Sequence, residues 1–127
     1  MSSLPANLKY TKEHEWIDVQ GNKASVGVTD FAVEQLGDIV HVDLPAAGKA
    51  FKAGDSFGTI ESTKTVSDLY MPVSGKILEV NAAVKSAPES LQSDAFKNGW
   101  LVKIEVSNPN EVSGLMDAKA YEAFTKE

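Results

Sequence analysis

Apolar and polar residues alternate along this chain in short runs, each cut off by a turn former after five to seven residues. Such runs read as strands, because side chains repeat every two residues in a strand and at about 3.6 on a helix face. Over residues 23–28 the shared face is Ala24, Val26 and Val28. Over 38–44 it is Val40, Val42 and Leu44, over 76–80 Leu78 and Val80, and over 100–106 Trp100, Val102, Ile104 and Val106. Between the runs stand Gly21-Asn22, Pro45, Gly48, Gly54-Asp55, Ser74-Gly75 and Asn98-Gly99, all suited to tight turns. The expected fold is mainly β, with antiparallel strands in a flattened barrel or sandwich. The segments Gly37-Asp38-Ile39-Val40 and Gly75-Lys76-Ile77-Leu78 share a loose plan that suggests pseudo-symmetric halves.

Helical signals are brief. Thr29 or Asp30 can cap a helix over 31–36, with Gly37 placed to end it. One helical turn is expected over 88–92. From Asn110 onward Val112, Leu115 and Met116 fall at helical spacing, and Asp117 can cap a last helix over 119–125 that carries Tyr121 and Phe124 on one face. So short a helix needs a surface to dock on.

The length of 127 residues fits one domain spanning 1–127, and 43% apolar residues is a globular value. Without cysteine there is no disulfide or thiolate chemistry, and no metal site is expected. A net charge of −6 repels phosphate backbones, so no nucleic-acid partner is expected. No apolar run reaches the length of a membrane span, and residues 1–10 lack the basic and apolar regions of a signal peptide. A cytoplasmic chain with no membrane contact is expected.

The most informative stretch is 57–70, where two strands meet near Lys64. Ser62, Thr63 and Thr65 flank Lys64 with small hydroxyl side chains, Glu61 and Asp68 bracket it, and Ile60, Val66 and Leu69 anchor the strands on either side. A lysine on an uncrowded tip holds its amine at the end of a flexible stem, which suits a modification site. Lysine amines are almost wholly protonated at neutral pH, so a modifying enzyme would have to remove the proton. The same spacing also fits a plain surface lysine. No nucleophile elbow or phosphate loop is present, and a non-catalytic protein is expected.

Glu61-Ser62-Thr63-Lys64 followed by Ser67-Asp68 resembles the lipoyl-attachment segment of glycine cleavage system H proteins. His14-Glu15-Trp16, Gly27-Val28-Thr29-Asp30-Phe31-Ala32, Gly37 to Pro45, Pro72-Val73-Ser74-Gly75, Asn98-Gly99-Trp100 and Ala120-Tyr121 resemble further segments of that family, in its order and at its length. Thr65 stands where the family usually has alanine, and Thr63 where it often has valine. The resemblance implies a lipoyl-domain-like barrel-sandwich hybrid with lipoate attached to Lys64 as N6-lipoyllysine. It implies a carrier that takes the aminomethyl group of glycine from a pyridoxal-phosphate glycine decarboxylase (P protein) to a folate-dependent aminomethyltransferase (T protein). Dihydrolipoyl dehydrogenase (L protein) would reoxidise the arm, and a lipoate ligase or octanoyl/lipoyl transferase would attach it. Glu15 and Asp68 are the carboxylates expected to hold the cationic cargo, Glu61 a recognition feature for the attaching enzyme, and His14 a structural residue that shapes the cleft. His41 is expected on the surface. The alternative is an H-like relay that supplies lipoate to other enzymes. Thr63 and Thr65 argue against a biotin carrier, whose lysine is expected between methionines, and His14-Glu15-Trp16 argues against a 2-oxoacid dehydrogenase lipoyl domain.

Overall fold

The computed structural model describes residues 8–88, 91 and 99–125. Strands β1 (Lys9–Tyr10), β2 (Glu15–Gln20) and β3 (Lys23–Val28) lead into helix α1 (Asp30–Leu36). Then come β4 (Ile39–Asp43), β5 (Ala50–Phe51), β6 (Ser56–Ser62), β7 (Val66–Tyr70) and β8 (Gly75–Val80). Helix α2 (Ala82–Ser86), β9 (Val102–Val106), a 3₁₀ helix (Pro109–Gly114) and helix α3 (Ala118–Thr125) complete the described elements. The strands form two antiparallel sheets, one in the order β1-β2-β3-β9-β8-β5 and one in the order β4-β6-β7. This is an open sandwich, the β architecture expected from the alternation.

The apolar faces expected for β3 and β9 point inward: Ala24, Val26, Val28, Val102, Ile104 and Val106 are all buried in one core cluster. Two expected faces are corrected. Val40 is 49% exposed and Leu78 39% exposed, while Ile39 and Ile77 are buried in their place. Each strand has a register shift just there, between Ile39 and His41 in β4 and between Ile77 and Glu79 in β8. A bulge adds one residue to one strand and so turns the following side chain outward, which simple alternation cannot anticipate. The two segments with the shared sequence plan shift register at the same place.

β2 carries no alternation because both of its faces are covered. Ile17 belongs to the main core, and Trp16 joins Leu8, Tyr10 and Tyr121 in a second apolar cluster beneath α3. Trp16 pairs across the strands with Gly27 and lies over it: a Cβ on Gly27 would stand 2.5 Å from the Trp16 ring.

Helix ends follow the sequence. Thr29 caps α1 by accepting the Ala32 N–H, and Gly37, at φ 86°, ends it by donating to Val33. Asp117 Oδ1 accepts the Ala120 N–H at the start of α3 at 2.8 Å. The helical spacing of Val112, Leu115 and Met116 resolves differently: a 3₁₀ helix ends at Gly114 and Met116 is extended, exchanging backbone hydrogen bonds with Tyr10. Of the turn expected over 88–92, Leu91 is buried and its N–H donates to Pro88 at 3.2 Å; residues 89, 90, 92 and Asn98 lie outside the described set.

Gly27→Ala should destabilise the fold by roughly 1–3 kcal/mol, the usual loss on overpacking a filled core. The comparison is Gly114→Ala, where an added Cβ meets nothing within 4 Å. Thermal unfolding followed by circular dichroism checks this, and equal midpoints for the two variants would contradict the packing argument.

Candidate functional site

β6 and β7 pair as far as Glu61↔Val66, which leaves residues 62–65 to form the tip. Ser62 is buried and organises the turn. Its Oγ accepts the N–H groups of Lys64 at 3.2 Å and Thr65 at 3.1 Å, while its own N–H donates to the Thr65 carbonyl at 2.8 Å. A short hydroxyl side chain that bonds backbone groups two and three residues on is a standard way to fix a turn. Thr63 N–H donates to the Asp38 carbonyl at 3.0 Å, tying the tip to the residue before β4. Lys64 is exposed on this fixed tip. Its stem crosses Gly37, where a Cβ would lie 3.0 Å from Lys64 Cε. Gly37 is favoured by its positive φ; a Cβ there would also shift the flexible end of the Lys64 stem by a few tenths of an ångström.

Beside the tip, a cleft of about 150 Å³ runs between α1 and β7 toward the start of β2. Ala32, Leu36, Ile60 and Leu69 give it apolar walls, and His14, Glu15 and Asp68 line it as well. Glu15 is 1% exposed, and its Oε2 accepts the Tyr70 N–H at 2.6 Å. Its Oε1 is a buried oxygen with no hydrogen-bond partner among the described residues. Burial pushes the Glu15 carboxyl up to about 8; the Tyr70 N–H works against that rise, and Glu13 adds to it. Asp68 is exposed, with Ser56 Oγ at 3.3 Å and the Tyr70 hydroxyl at 3.4 Å. A group that carried a cation into this cleft would meet one exposed and one buried carboxyl, the buried one with an acceptor to spare.

A family model described as glycine cleavage H-protein matches residues 8–127. The chain is 55% identical to the glycine cleavage system H protein of Symbiobacterium thermophilum over 127 residues, covering 100% of this chain and 99% of that one. It is 51% identical to the H protein of Bacteroides thetaiotaomicron over 121 residues, 95% of this chain and 96% of that one. The crystal structure of a glycine cleavage system H protein from Mycobacterium marinum superposes with a TM-score of 0.90 at 41% identity, covering 98% of this chain and 100% of that chain. The chain belongs to the glycine cleavage H-protein family.

Within this H-protein fold, the structure brings Glu15, Asp68 and His14 to one cleft and sets Lys64 at the tip beside Gly37, the residue after α1. Glu61 is not part of the cleft. It lies on the outer face of the smaller sheet, in register between His41 and Val66, and all three are exposed. Thr63 and Thr65, which depart from the usual family residues, are both exposed, so no packing constraint separates them from alanine or valine there. His14 is half-buried at φ 66°, with its ring against Phe31 at 4.7 Å and Nδ1 at 2.8 Å from the Tyr121 hydroxyl. Sequence reasoning missed the bond between Glu15 and Tyr70 and the passage over Gly37. Nothing in local spacing links residues 15 and 70, and Gly37 registers only as a helix stop.

The raised Glu15 carboxyl makes stability depend on pH in a definite direction. The folded chain favours the protonated form, so this group's contribution is greatest below its ordinary value of 4.5 and falls as pH rises toward about 8. The slope within that window is at most about 1.4 kcal/mol per pH unit. Glu15→Gln should therefore gain on the parent protein between pH 5 and pH 8.5, apart from a pH-independent offset. Thermal midpoints at the two pH values test this; a difference between the proteins that stays constant with pH would rule out the buried ionisation.

Proposed function

We propose that Lys64 carries lipoate in amide linkage and that residues 1–127 work as one cytoplasmic lipoyl-carrier domain. Family membership makes the chain a carrier component of the glycine cleavage system rather than a catalyst. The observation that carries the Lys64 assignment is the pairing of a fixed, uncrowded tip with a cleft that ends on a buried carboxyl lacking a partner at Oε1.

The residues present fit the group. Ser62 and Thr63 hold the tip, and Gly37 leaves room along the lysine stem. The apolar walls at Ala32, Leu36, Ile60 and Leu69 suit an aliphatic arm, each buried methylene contributing about 0.8 kcal/mol. When bound, lipoate supplies a disulfide that takes up the aminomethyl group of glycine. The protein's part is to hold and shield. Glu15 accepts the cationic end of the cargo and gives up its proton as the cation enters, since an ammonium beside a carboxylate favours the charged form. Asp68 adds a second negative charge at the exposed side of the cleft. The apolar walls exclude water. A tether of this kind keeps the cargo at an effective concentration of order mM near a docked enzyme.

The partners on this reading are the pyridoxal-phosphate glycine decarboxylase, the folate-dependent aminomethyltransferase and dihydrolipoyl dehydrogenase, with a lipoate ligase or octanoyl/lipoyl transferase to install the arm. Glu61, outside the cleft and on the exposed face beside the tip, is placed to be read by the attaching enzyme. Among the described residues no helix is long and apolar enough to cross a membrane.

Lys64→Arg keeps the charge and the fold but removes the acylable amine. Intact mass and peptide mapping of protein made in a host fed lipoate should place a lipoyl increment on Lys64 in the parent and none on the variant. The variant should support no glycine-dependent transfer to folate. Transfer at the parental rate by Lys64→Arg would sink the assignment.

A further inference from the structure

The C-terminal helix reaches the cleft residue His14 through the Tyr121 hydroxyl and through the rings of Tyr121 and Phe124, both with centroids 5.8 Å from the imidazole. The Tyr121 side chain is fully buried, with its ring stacked on Tyr10 at 4.8 Å and 13°. Tyr121 Oη lies 2.8 Å from His14 Nδ1 and 2.8 Å from Thr29 Oγ1. Thr29 Oγ1 also accepts the Ala32 N–H at 3.2 Å, as the cap of α1. One phenol oxygen thus stands between the two walls of the cleft: the residue before Glu15 on one side and the N-terminus of α1 on the other.

His14 explains why that position matters. Among the described residues it is the one non-glycine with positive φ, at 66°. Histidine tolerates this region better than most residues but still adopts it at a cost, and it persists only where its surroundings over-determine it. Here His14 N–H donates to Thr11 at 3.1 Å, His14 carbonyl accepts from Thr29 at 3.0 Å, and the imidazole is held by Tyr121. Glu15 is the next residue. Were His14 to relax to negative φ, the peptide between residues 14 and 15 would turn, and the Glu15 carboxyl would swing away from Tyr70 N–H and the cleft.

We propose that Tyr121 is a positioning residue for the arm cleft: its hydroxyl holds His14 in the left-handed conformation and thereby aims Glu15. This role rests on the reading of Lys64 and its cleft as the carrier site. The ring and the hydroxyl have separate work. The ring, stacked on Tyr10, docks the helix; the hydroxyl sets the geometry of a carboxyl on another element.

Tyr121→Phe separates the two, because it keeps the ring. The control is Val84→Ala, a truncation in the buried face of α2, away from the cleft. Two measurements are made at conditions of matched thermal stability. The first, on the unmodified chain, is hydrogen exchange at the Tyr70 and Thr29 amides, which report the bonds to Glu15 and to the His14 carbonyl. Tyr121→Phe should speed both by about tenfold over the control, the loss that goes with one hydrogen bond. The second, on the lipoylated carrier loaded with aminomethyl cargo, is its loss to water: water adds at the N,S-acetal carbon, and the C–S and C–N bonds break to give free thiol, formaldehyde and ammonium. That loss should also accelerate in Tyr121→Phe and not in Val84→Ala. Exchange at Tyr70 that matches the control overturns the positioning role. Faster exchange in a protein whose Lys64 takes no lipoate in any variant would keep the positioning of Glu15 and remove the carrier reading instead.

Discussion

The Glu15 carboxyl accepts the Tyr70 N–H across the gap between the two sheets, and much of the cleft's geometry hangs on that bond. β7 is one of the two edge strands of the smaller sheet. Met71 N–H turns inward to Asp55, so by alternation the N–H of Tyr70 points away from its own sheet. An edge of this kind invites pairing with another chain unless something covers it. Here the covering group is a side chain from the first position of β2, in the other sheet. This bond therefore occupies the edge amide of Tyr70, ties β2 to β7 on this side of the sandwich, and stands at the inner end of the cleft.

The tip and the cleft solve different problems with different residues. The tip must be stiff while its lysine stays free, and Ser62 achieves this by spending its hydroxyl entirely on the backbone around Lys64. The cleft must be apolar along its walls and polar at its end. α1 supplies one wall and ends at Gly37, beside the Lys64 stem.

The β architecture was legible because strands β3 and β9 have one face in the core and show clean alternation. Where both faces are covered, as in β2, or where a bulge intervenes, as at Val40 and Leu78, the pattern misleads. Helix caps at Thr29 and Asp117 were legible because capping is local chemistry. Lys64 was legible as an exposed tip residue, but its setting was not. The contacts that make the site, Glu15 with Tyr70, Tyr121 with His14 and Thr29, and Lys64 with Gly37, join residues far apart in sequence. No period or motif encodes those: spacing marked Asp68 only as a carboxylate near Lys64, and the family resemblance alone pointed to Glu15 and gave Asp68 a role in holding cargo.

Glu15 also shows why such a site is not optimised for stability alone. A buried carboxyl with one oxygen unpartnered among the described residues, and pushed up to about 8 by burial, is a net burden on the resting fold. An apolar residue of the same size would relieve that burden but would leave the Tyr70 N–H unpaired at the sheet edge. A glutamine would pair with Tyr70 yet offer no charge to a cation. On the proposed reading of the cleft, a carboxyl meets both requirements, pairing with the Tyr70 N–H at rest and becoming the counter-ion when a cationic cargo arrives. His14 takes its left-handed conformation immediately before β2, and Glu15 then enters the strand on the same face as the core residue Ile17, two positions on.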